Sequence, residues 1–263
     1  MIRTYLEFAK KSFQNNIVYR VDYFAGVINT IIMILVNLSI WKAIYQEEES
    51  IGGIQFRMLM TYIILSFLIQ SIFMMDEYMI DHKVRTGLIS SDLLKPISFR
   101  LYIFSYNIGA LFFRIIMQLI PALIISVIFF GLLPPFSAAM ALYFVISVVL
   151  GYLVLYSINF IVWITCFWFF GTFSLVTIKD AAVMILSGAL LPLWFMPQWL
   201  VEFIEMTPFK SIYYIPVSIY LGYIPRDEIF LNIIIQAVWV LILFAVGHVM
   251  WKTASKKLVV QGG

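Results

Sequence analysis

The sequence has few of the residues from which catalytic and metal sites are usually built. It contains one cysteine and two histidines among 263 residues. Cys166 lies alone in an apolar run, so the chain has neither a disulfide framework nor a CxxC metal site. His82 and His248 are far apart in sequence, which gives little support for a zinc site or a histidine-based catalytic triad.

Sequence motifs for nucleotide hydrolysis and for bond cleavage are also missing. No stretch fits GxxxxGKS or GxxxxGKT, in which backbone amides surround phosphates beside a lysine. HExxH and GxSxG do not occur either, and the apolar runs hold no pair of carboxylates. The net charge of +3 is small and dispersed, so no nucleic-acid partner is expected. The chain therefore has no ATPase motif and no recognisable catalytic site of its own.

Charged residues are scarce, at 12% of the chain, whereas hydrophobic residues make up 63% and the mean hydropathy is +1.00. A soluble globular domain is roughly half apolar and a quarter charged. An apolar excess this large cannot be enclosed in one core, so lipid must be the solvent for much of the surface. We therefore predict an all-α integral membrane protein in which residues 1–263 form a single transmembrane domain.

The apolar residues are arranged in six runs, and a helix needs about 20 residues to cross a bilayer. We expect spans near residues 23–45, 56–75, 102–133, 138–170, 181–195 and 229–251. The fourth run is too long for one perpendicular helix, so it is tilted, broken or extended beyond the bilayer. The fifth run is the shortest, and we interpret Lys179-Asp180 before it as part of a connection between spans.

Two further segments suit the membrane interface. Ile2, Leu6 and Ala9 recur at helical spacing near the N-terminus with charged residues opposite, which predicts an interfacial helix, the alternative being a short solvated tail. Residues 197–226 are apolar and aromatic but are interrupted by prolines. Helices too short to span must lie in the interface or re-enter packed against protein, so we predict short helices of this kind before the last span.

Basic residues are distributed unequally between the two sides of the membrane. With the N-terminus inside, twelve of the seventeen Lys and Arg residues fall on the inner side, four fall on the outer side, and Arg114 lies within the third span. Loops rich in Lys and Arg face the cytoplasm, so both termini are predicted to be cytoplasmic.

Arg114 is the one clear charge within an apolar run, LFFRIIMQL. Arginine at mid-bilayer is unfavourable by about 2.5–3.5 kcal/mol on an insertion scale, so its presence needs a reason. Either it snorkels to the inner headgroups, or it contacts an anion in a substrate path or joins a polar network with Gln70, Asn107, Gln118 or Asn159.

The inner loop of residues 76–100 is the longest polar segment. It predicts two short helices, at residues 78–84 and 91–94, broken at Gly87 and stopped by Pro96. Asp92 and Lys95 flank an apolar ridge of Leu88, Leu93 and Leu94. A loop that is both charged and ridged suits docking to a soluble partner, the alternative being a solvated connector.

These segments resemble the ABC-type permeases of the type-2 exporter superfamily, in particular a branch of uncharacterised ABC transport system permeases. The resemblance extends along nearly the whole chain, through FQNNIVYRVDYFAG, TYIILS and VRTGLISSDLLKPISF followed by Tyr102. Its most specific part is Gly87 followed by Asp92-Leu93-Leu94-Lys95-Pro96 between the second and third spans.

The resemblance implies an architecture and a set of partners. Such permeases have six spans, an N-terminal interfacial helix and re-entrant helices before the last span. They form homodimers or heterodimers with two copies of a separate ABC ATPase subunit, which binds the ATP and Mg, so this chain is expected to bind no cofactor. The expected location is the plasma membrane of a prokaryotic cell, in contact with membrane lipid.

The resemblance also assigns residues to two sites. The coupling helix that docks on the ATPase corresponds to about residues 81–96, with Asp81, Lys83, Arg85, Gly87, Asp92, Leu93, Leu94, Lys95 and Pro96. The substrate path along the second and fifth spans would include Phe67, Gln70, Met184 and Ser187, and Arg114 is a further candidate.

The function implied is that of the membrane subunit of an ATP-driven exporter, which moves a lipid, an amphipathic peptide or a hydrophobic compound out of the cell. The rival class is an ATPase-independent protein. A carrier would be expected to have acidic residues within its spans, and an intramembrane enzyme would need a catalytic cluster. A non-transporting scaffold or sensor subunit is a third alternative.

Overall fold

The computed structural model describes residues 2–18, 20–46, 48–169 and 171–257. Within these residues the regular secondary structure is helical apart from one two-stranded antiparallel hairpin, and turns and loops join the helices. The α-helices and strands are α1 (Ile2–Val18), α2 (Arg20–Tyr45), β1 (Ser50–Ile51), β2 (Ile54–Gln55), α3 (Phe56–Phe73), α4 (Met79–Arg85), α5 (Leu88–Leu93), α6 (Phe99–Arg114), α7 (Ile120–Phe130), α8 (Ala138–Trp163), α9 (Phe173–Leu186), α10 (Gln198–Glu205), α11 (Tyr214–Leu221) and α12 (Arg226–Ala254). A π-helical turn (Ile115–Leu119) joins α6 to α7, and 3-10 turns cover Ile164–Phe167, Leu193–Phe195 and Phe209–Ser211.

Five helical stretches among the described residues are long and apolar enough to cross a membrane. They are Tyr23–Tyr45, Phe56–Phe73, Phe99–Phe130, Ala138–Phe167 and Arg226–Ala254. They correspond to five of the six predicted runs, so the prediction of an all-α membrane protein is confirmed. The count of six spans and the re-entrant helices stay predictions.

The bounds predicted for the fifth run, residues 181–195, are wrong. Helix α9 begins at Phe173, passes through Lys179-Asp180 and ends at Leu186, which makes it 14 residues long. At 1.5 Å per residue it is about 21 Å long, shorter than the ~30 Å hydrocarbon layer. Lys179 does not interrupt the helix because its side chain is buried among polar partners, which are given below.

The chain forms two compact units, each made of two segments. The first unit comprises the described parts of residues 1–74 and 97–136, and the second comprises those of residues 75–96 and 137–263. The prediction of one transmembrane domain over the whole chain stays a prediction.

In the first unit, α1 packs along α6 at very short range. A Cβ atom added to Gly109 of α6 would lie 2.0 Å from the carbonyl oxygen of Ala9, so only glycine permits this approach. The Ser98 amide at the start of α6 donates to the Tyr5 hydroxyl over 2.9 Å. Part of the predicted interfacial face of α1 is therefore covered by protein, while Ile2 and Leu6 are exposed.

The third apolar stretch of the first unit contains the π-helical turn between Arg114 and α7. Pro121 lies in the first turn of α7. Proline has no amide hydrogen and its ring displaces the carbonyl four residues earlier, and a π turn accommodates both effects. The turn carries the buried Gln118 against Gly26 of α2, where an added Cβ would lie 2.9 Å from the Gln118 Nε2 atom.

In the second unit, the segment between α9 and α12 packs on α8. Gly151 of α8 faces the backbone of this segment, where an added Cβ would lie 2.8 Å from the carbonyl oxygen of Ile212. Gln236 of α12 accepts from the Ser147 hydroxyl at 2.9 Å and donates to the Ser211 carbonyl at 2.8 Å. The segment is thus held by polar contacts inside the protein. Pro216 lies within the first turn of α11 rather than between helices.

Candidate functional site

The loop predicted to couple to a partner, residues 81–96, is a compact pair of helices in the second unit. Helix α4 ends at Arg85, and the amide of Thr86 donates to the His82 carbonyl. Gly87 then has a φ of +73°, a left-handed conformation that glycine adopts without strain, and α5 begins at the next residue. The predicted helices and the break at Gly87 are thus present, with α5 three residues earlier than expected.

Asp92 lies at the centre of this loop. Its side chain is buried, and its two oxygens accept from the ammonium groups of Lys83 at 2.5 Å and Lys95 at 2.6 Å. Burial of the carboxylate alone would raise its pKa, but hydrogen bonds and charges from the two lysines outweigh that effect and hold the pKa below its ordinary value. The group therefore stays ionised at neutral pH and joins α4 to α5.

A second ion pair fixes α4. The Arg85 guanidinium binds the Asp81 carboxylate at 2.8 Å, one helical turn away. The Arg85 side chain also covers Gly171, where an added Cβ would lie 2.6 Å from the Arg85 Nη2 atom. Helix α4 packs against the 3-10 turn Ile164–Phe167 that ends the α8 stretch. The base of the loop is therefore attached to the segment between α8 and α9.

The apolar ridge of the loop is partly turned toward water. Leu94 is 85% exposed and Leu88 is 54% exposed, whereas Leu93 is half-buried and Ile89 is buried. Lys95 and Pro96 are exposed next to Leu94. The predicted coupling residues therefore lie together in one structural element, and their role in coupling stays a prediction.

A buried polar cluster that sequence reasoning missed lies next to this loop in the second unit. Lys179 of α9 is 7% exposed, and its ammonium group donates to Glu77 at 2.8 Å and to Asn159 of α8 at 2.9 Å. A third contact joins it to the Asp180 carboxylate at 2.6 Å. The other Glu77 oxygen accepts from the indole nitrogen of Trp163 at 2.9 Å.

The sequence does contain a weak signal for this cluster. Val176, Lys179 and Val183 are three and four residues apart, so they share one face of a helix, and all three are buried. A lysine on the apolar face of a predicted helix indicates a buried partner. The partner could not be chosen from sequence because Glu77 is 102 residues away.

The residues predicted for the substrate path are distributed over both units. In the first unit, Phe67 and Gln70 are half-buried on α3, and Arg114 donates to the Met74 carbonyl beyond the end of that helix. In the second unit, Met184 is 49% exposed on α9. Ser187 is buried, its hydroxyl donates to the Val183 carbonyl, and its own carbonyl accepts from the Tyr214 amide. Their role in a path stays a prediction.

Of the four polar residues considered as partners of Arg114, Asn159 lies in the second unit with Lys179. Asn107 donates to the Ile103 carbonyl within its own helix, and Gln118 lies against Gly26. In the part of the chain that the structure describes, no group of three or more His, Cys, Asp and Glu residues is arranged to hold a metal ion.

Comparison with known proteins gives one result that covers most of the chain. A family model described as "ABC-2 family transporter protein" matches residues 31–262. A search of curated proteins finds no match. The family match and the five apolar helices agree with the resemblance carried by the loop, and ABC-2 permeases are transmembrane subunits that generally lack ATPase motifs and work with an ABC ATPase subunit. The chain therefore belongs to the ABC-2 transporter family and is a multi-pass membrane permease of an ABC transporter.

Proposed function

We propose that this permease is the membrane subunit of an ATP-driven exporter, and that residues 81–96 are the surface on which its ATPase docks. The complex would contain two permease chains, identical or different, and two ATPase subunits that bind ATP and Mg. The observation that carries the proposal is the α4–α5 loop, which presents Leu94 to solvent from a framework of ion pairs built on the buried carboxylates of Asp81 and Asp92.

A preformed loop binds a partner with little loss of conformational entropy. Lys83, Asp92 and Lys95 already fix α4 against α5 in the free chain. Leu94 is almost fully exposed, and burying a leucine side chain contributes about 1.5–3 kcal/mol. Lys83 and Lys95 share the single Asp92 carboxylate, so a net positive charge remains near Leu94 and suits an acidic rim on the ATPase.

We also propose six crossings with both termini in the cytoplasm. The short helix α9 and the segment after it would form the fifth crossing. Non-helical backbone is tolerated at membrane depth only where protein covers it. Ser187, Ala189 and Leu193 are all buried, which supports this proposal. With Lys179 inside a helix, the inner side still carries far more basic residues than the outer side.

The substrate proposed is a lipid, an amphipathic peptide or a hydrophobic compound, moved outward. Of the residues assigned to the path, Phe67 and Met184 are apolar, Gln70 and Ser187 are polar without charge, and Arg114 is basic. A path that combines apolar side chains with a few polar ones suits molecules that have both apolar and polar parts.

The proposal is tested by purifying the tagged permease in mild detergent from its host and identifying the proteins that co-elute. We expect a P-loop ATPase in stoichiometric amount. Leu94→Asp places a charge in the proposed contact, so the ATPase yield should fall at least about tenfold, which is about 1.4 kcal/mol, while the permease still inserts. Met206→Asp is the matched control, because Met206 is also apolar and 79% exposed but lies on the proposed outer side.

Equal ATPase recovery with Leu94→Asp and with the unchanged chain would contradict the docking assignment. If the unchanged chain brings down no ATPase under conditions that preserve other ABC complexes, the proposal fails, and a carrier or scaffold function gains support. A second permease in the eluate would show that the membrane unit is a heterodimer.

A further inference from the structure

The cluster around Lys179 contains a buried ammonium group with three oxygen partners. We infer that Lys179 and Glu77 form a joint that passes movement of the α4–α5 loop to α9, with Lys179 as the positioning residue. The inference rests on the proposed function, because it requires that a docked ATPase moves this loop.

The ammonium group of Lys179 has three hydrogens and three acceptors. They are Glu77 Oε1 at 2.8 Å, Asn159 Oδ1 at 2.9 Å and Asp180 Oδ1 at 2.6 Å. The contacts to Glu77 and Asn159 are hydrogen bonds, and the contact to Asp180 is an ion pair. The Lys179 side chain is only 5% exposed and Glu77 is 20% exposed, so water cannot readily replace the Glu77 carboxylate, whereas Asp180 is 57% exposed.

The acceptor side of the joint is equally well fixed. Glu77 uses its second oxygen to accept from Trp163, whose side chain is 1% exposed. The Asn159 amide also donates to the Met75 sulfur at 3.3 Å. Breaking a buried ion pair leaves an uncompensated charge in a region of low dielectric, which is strongly unfavourable. Movement of Glu77 is therefore transmitted to Lys179 rather than absorbed between them.

The loop reaches α9 at two points. Glu77 lies two residues before α4 and binds the middle of α9 through Lys179. Arg85, the last residue of α4, covers Gly171, which lies two residues before α9 begins. Gly171 has a φ of +114°, which favours glycine, and an added side chain would displace the guanidinium. The loop is thus attached to α9 at both ends of α4, so α9 can turn together with the loop. A single attachment would allow α9 to pivot about that point instead.

The joint differs from a second lysine–glutamate pair among the described residues of the second unit. Lys210 and Glu205 are 3.5 Å apart, and Glu205 is 59% exposed. This pair is made of the same residue types and lies in the segment before α12, so it provides a matched control for loss of one ion pair.

The test uses the complex of permease and co-purified ATPase in lipid nanodiscs. A cysteine replaces Ser174, an exposed residue at the start of α9, and its alkylation by a maleimide is timed with ADP and with ATP plus vanadate. We expect the two rates to differ by about fivefold or more, the lower end of typical coupling between sites. In a Glu77→Gln/Lys179→Gln background the difference between the two alkylation rates should vanish. The amount of co-purified ATPase should stay the same.

The double variant removes both charges and keeps amide groups that can bond to Trp163 and Asn159, so it avoids an unpaired buried charge. The control, Glu205→Gln/Lys210→Gln, should retain the nucleotide-dependent difference. If the Glu77/Lys179 variant kept the full nucleotide-dependent difference in alkylation rate, the inferred joint would be wrong and the proposed function would be unaffected. Equal rates in the parent complex would also overturn it, since α9 would not move. Loss of ATPase recovery from the parent would instead contradict the proposed function.

Discussion

Arg114 and Lys179 each lie inside a helical stretch, and each binds an oxygen atom of a residue that follows α3 in sequence. In the first unit the Arg114 guanidinium donates to the carbonyl of Met74. In the second unit the Lys179 ammonium binds the carboxylate of Glu77. The last carbonyls of a helix lack partners within the helix and carry partial negative charge, so a cation there is favourable. Arg114 therefore acts as a cap on α3, which neither sequence interpretation had proposed.

At Arg114 the substitution that separates capping from snorkelling is Arg114→Leu. We expect it to lower stability by about 0.3–1 kcal/mol, because an exposed helix end loses the cation that binds its Met74 carbonyl. Arg114→Lys should retain most of the stability, since it keeps a cation near the end of α3. The measurement is the midpoint of thermal unfolding in detergent for each purified variant.

Arg57→Leu is the control for this pair of variants, because Arg57 is an exposed arginine in the first turn of the same helix. It should change the midpoint little. Snorkelling, and not capping, would be indicated if Arg114→Leu were as stable as the Arg57→Leu protein.

The sequence identified Arg114 as unusual but not what it binds. A lone arginine in an apolar run is visible by inspection, whereas its acceptor is a backbone carbonyl 40 residues earlier. Lys179 was not identified at all, since a Lys-Asp pair between two apolar runs is typical of a connection. Only the tertiary contacts with Glu77 and Asn159 explain how the helix continues through it.

At the scale of helices and loops, close backbone contacts at glycines hold the packing together. In the second unit α8 passes the segment of α11 so closely that a Cβ at Gly151 would meet two carbonyl oxygens, at 2.8 and 2.9 Å. An apolar cluster beside it contains Met140, Ile215 and Ile219. Backbone atoms in a packed segment cannot move aside as the end of a flexible side chain can.

Gly151→Ala is therefore expected to destabilise the protein. The added methyl group overlaps the Ile212 and Ser211 carbonyls, and overpacking of this kind costs about 1–3 kcal/mol. Gly247→Ala on α12 is the matched change, because its added Cβ would lie 3.3 Å from the ring of Phe160, which can shift. That variant should be neutral or slightly stabilised, since alanine favours helices over glycine. Thermal unfolding of both proteins checks the contrast, and equal midpoints would contradict it.

Prediction from sequence succeeded best for local structure. The two helices of the 81–96 loop depend on Gly87 and on turns within a few residues, so both were found with small errors at their ends. The five long spans follow from uninterrupted apolar runs. Helix α9 was misplaced because its bounds depend on burial of Lys179, and the role of Asp92 as a link between two lysines depends on burial that spacing alone does not show.

At the scale of the whole molecule, the number of membrane crossings decides where the segment before α12 lies. Five crossings and six crossings would place it on opposite sides of the membrane. If α9 and the residues after it cross the membrane, α10 lies outside; if they do not, α10 lies with α5 in the cytoplasm. Ser50, Ser91 and Gln198 are exposed residues in the β-hairpin, α5 and α10. Single cysteines at these positions report the three locations, and the native Cys166 is buried and serves as an internal blank.

With six crossings and a cytoplasmic N-terminus, an impermeant maleimide should label Ser50→Cys and Gln198→Cys in intact cells. Ser91→Cys should react only after the membrane is permeabilised. If neither Gln198→Cys nor Ser91→Cys were labelled in intact cells, the protein would have five crossings and its C-terminus would lie outside. Labelling of Ser91→Cys in intact cells would reverse the orientation and remove the docking loop from the ATPase.

The contact of α1 with α6 also constrains how the protein is made. The Tyr5 hydroxyl and its partner, the Ser98 amide, are 93 residues apart in the chain. A ribosome that adds about 5–20 residues per second leaves α1 without its partner for on the order of 5–20 s. During that time the groove that Gly109 provides for Ala9 does not yet exist. The exposed Ile2 and Leu6 allow α1 to rest on the lipid surface during this interval, until α6 provides the groove.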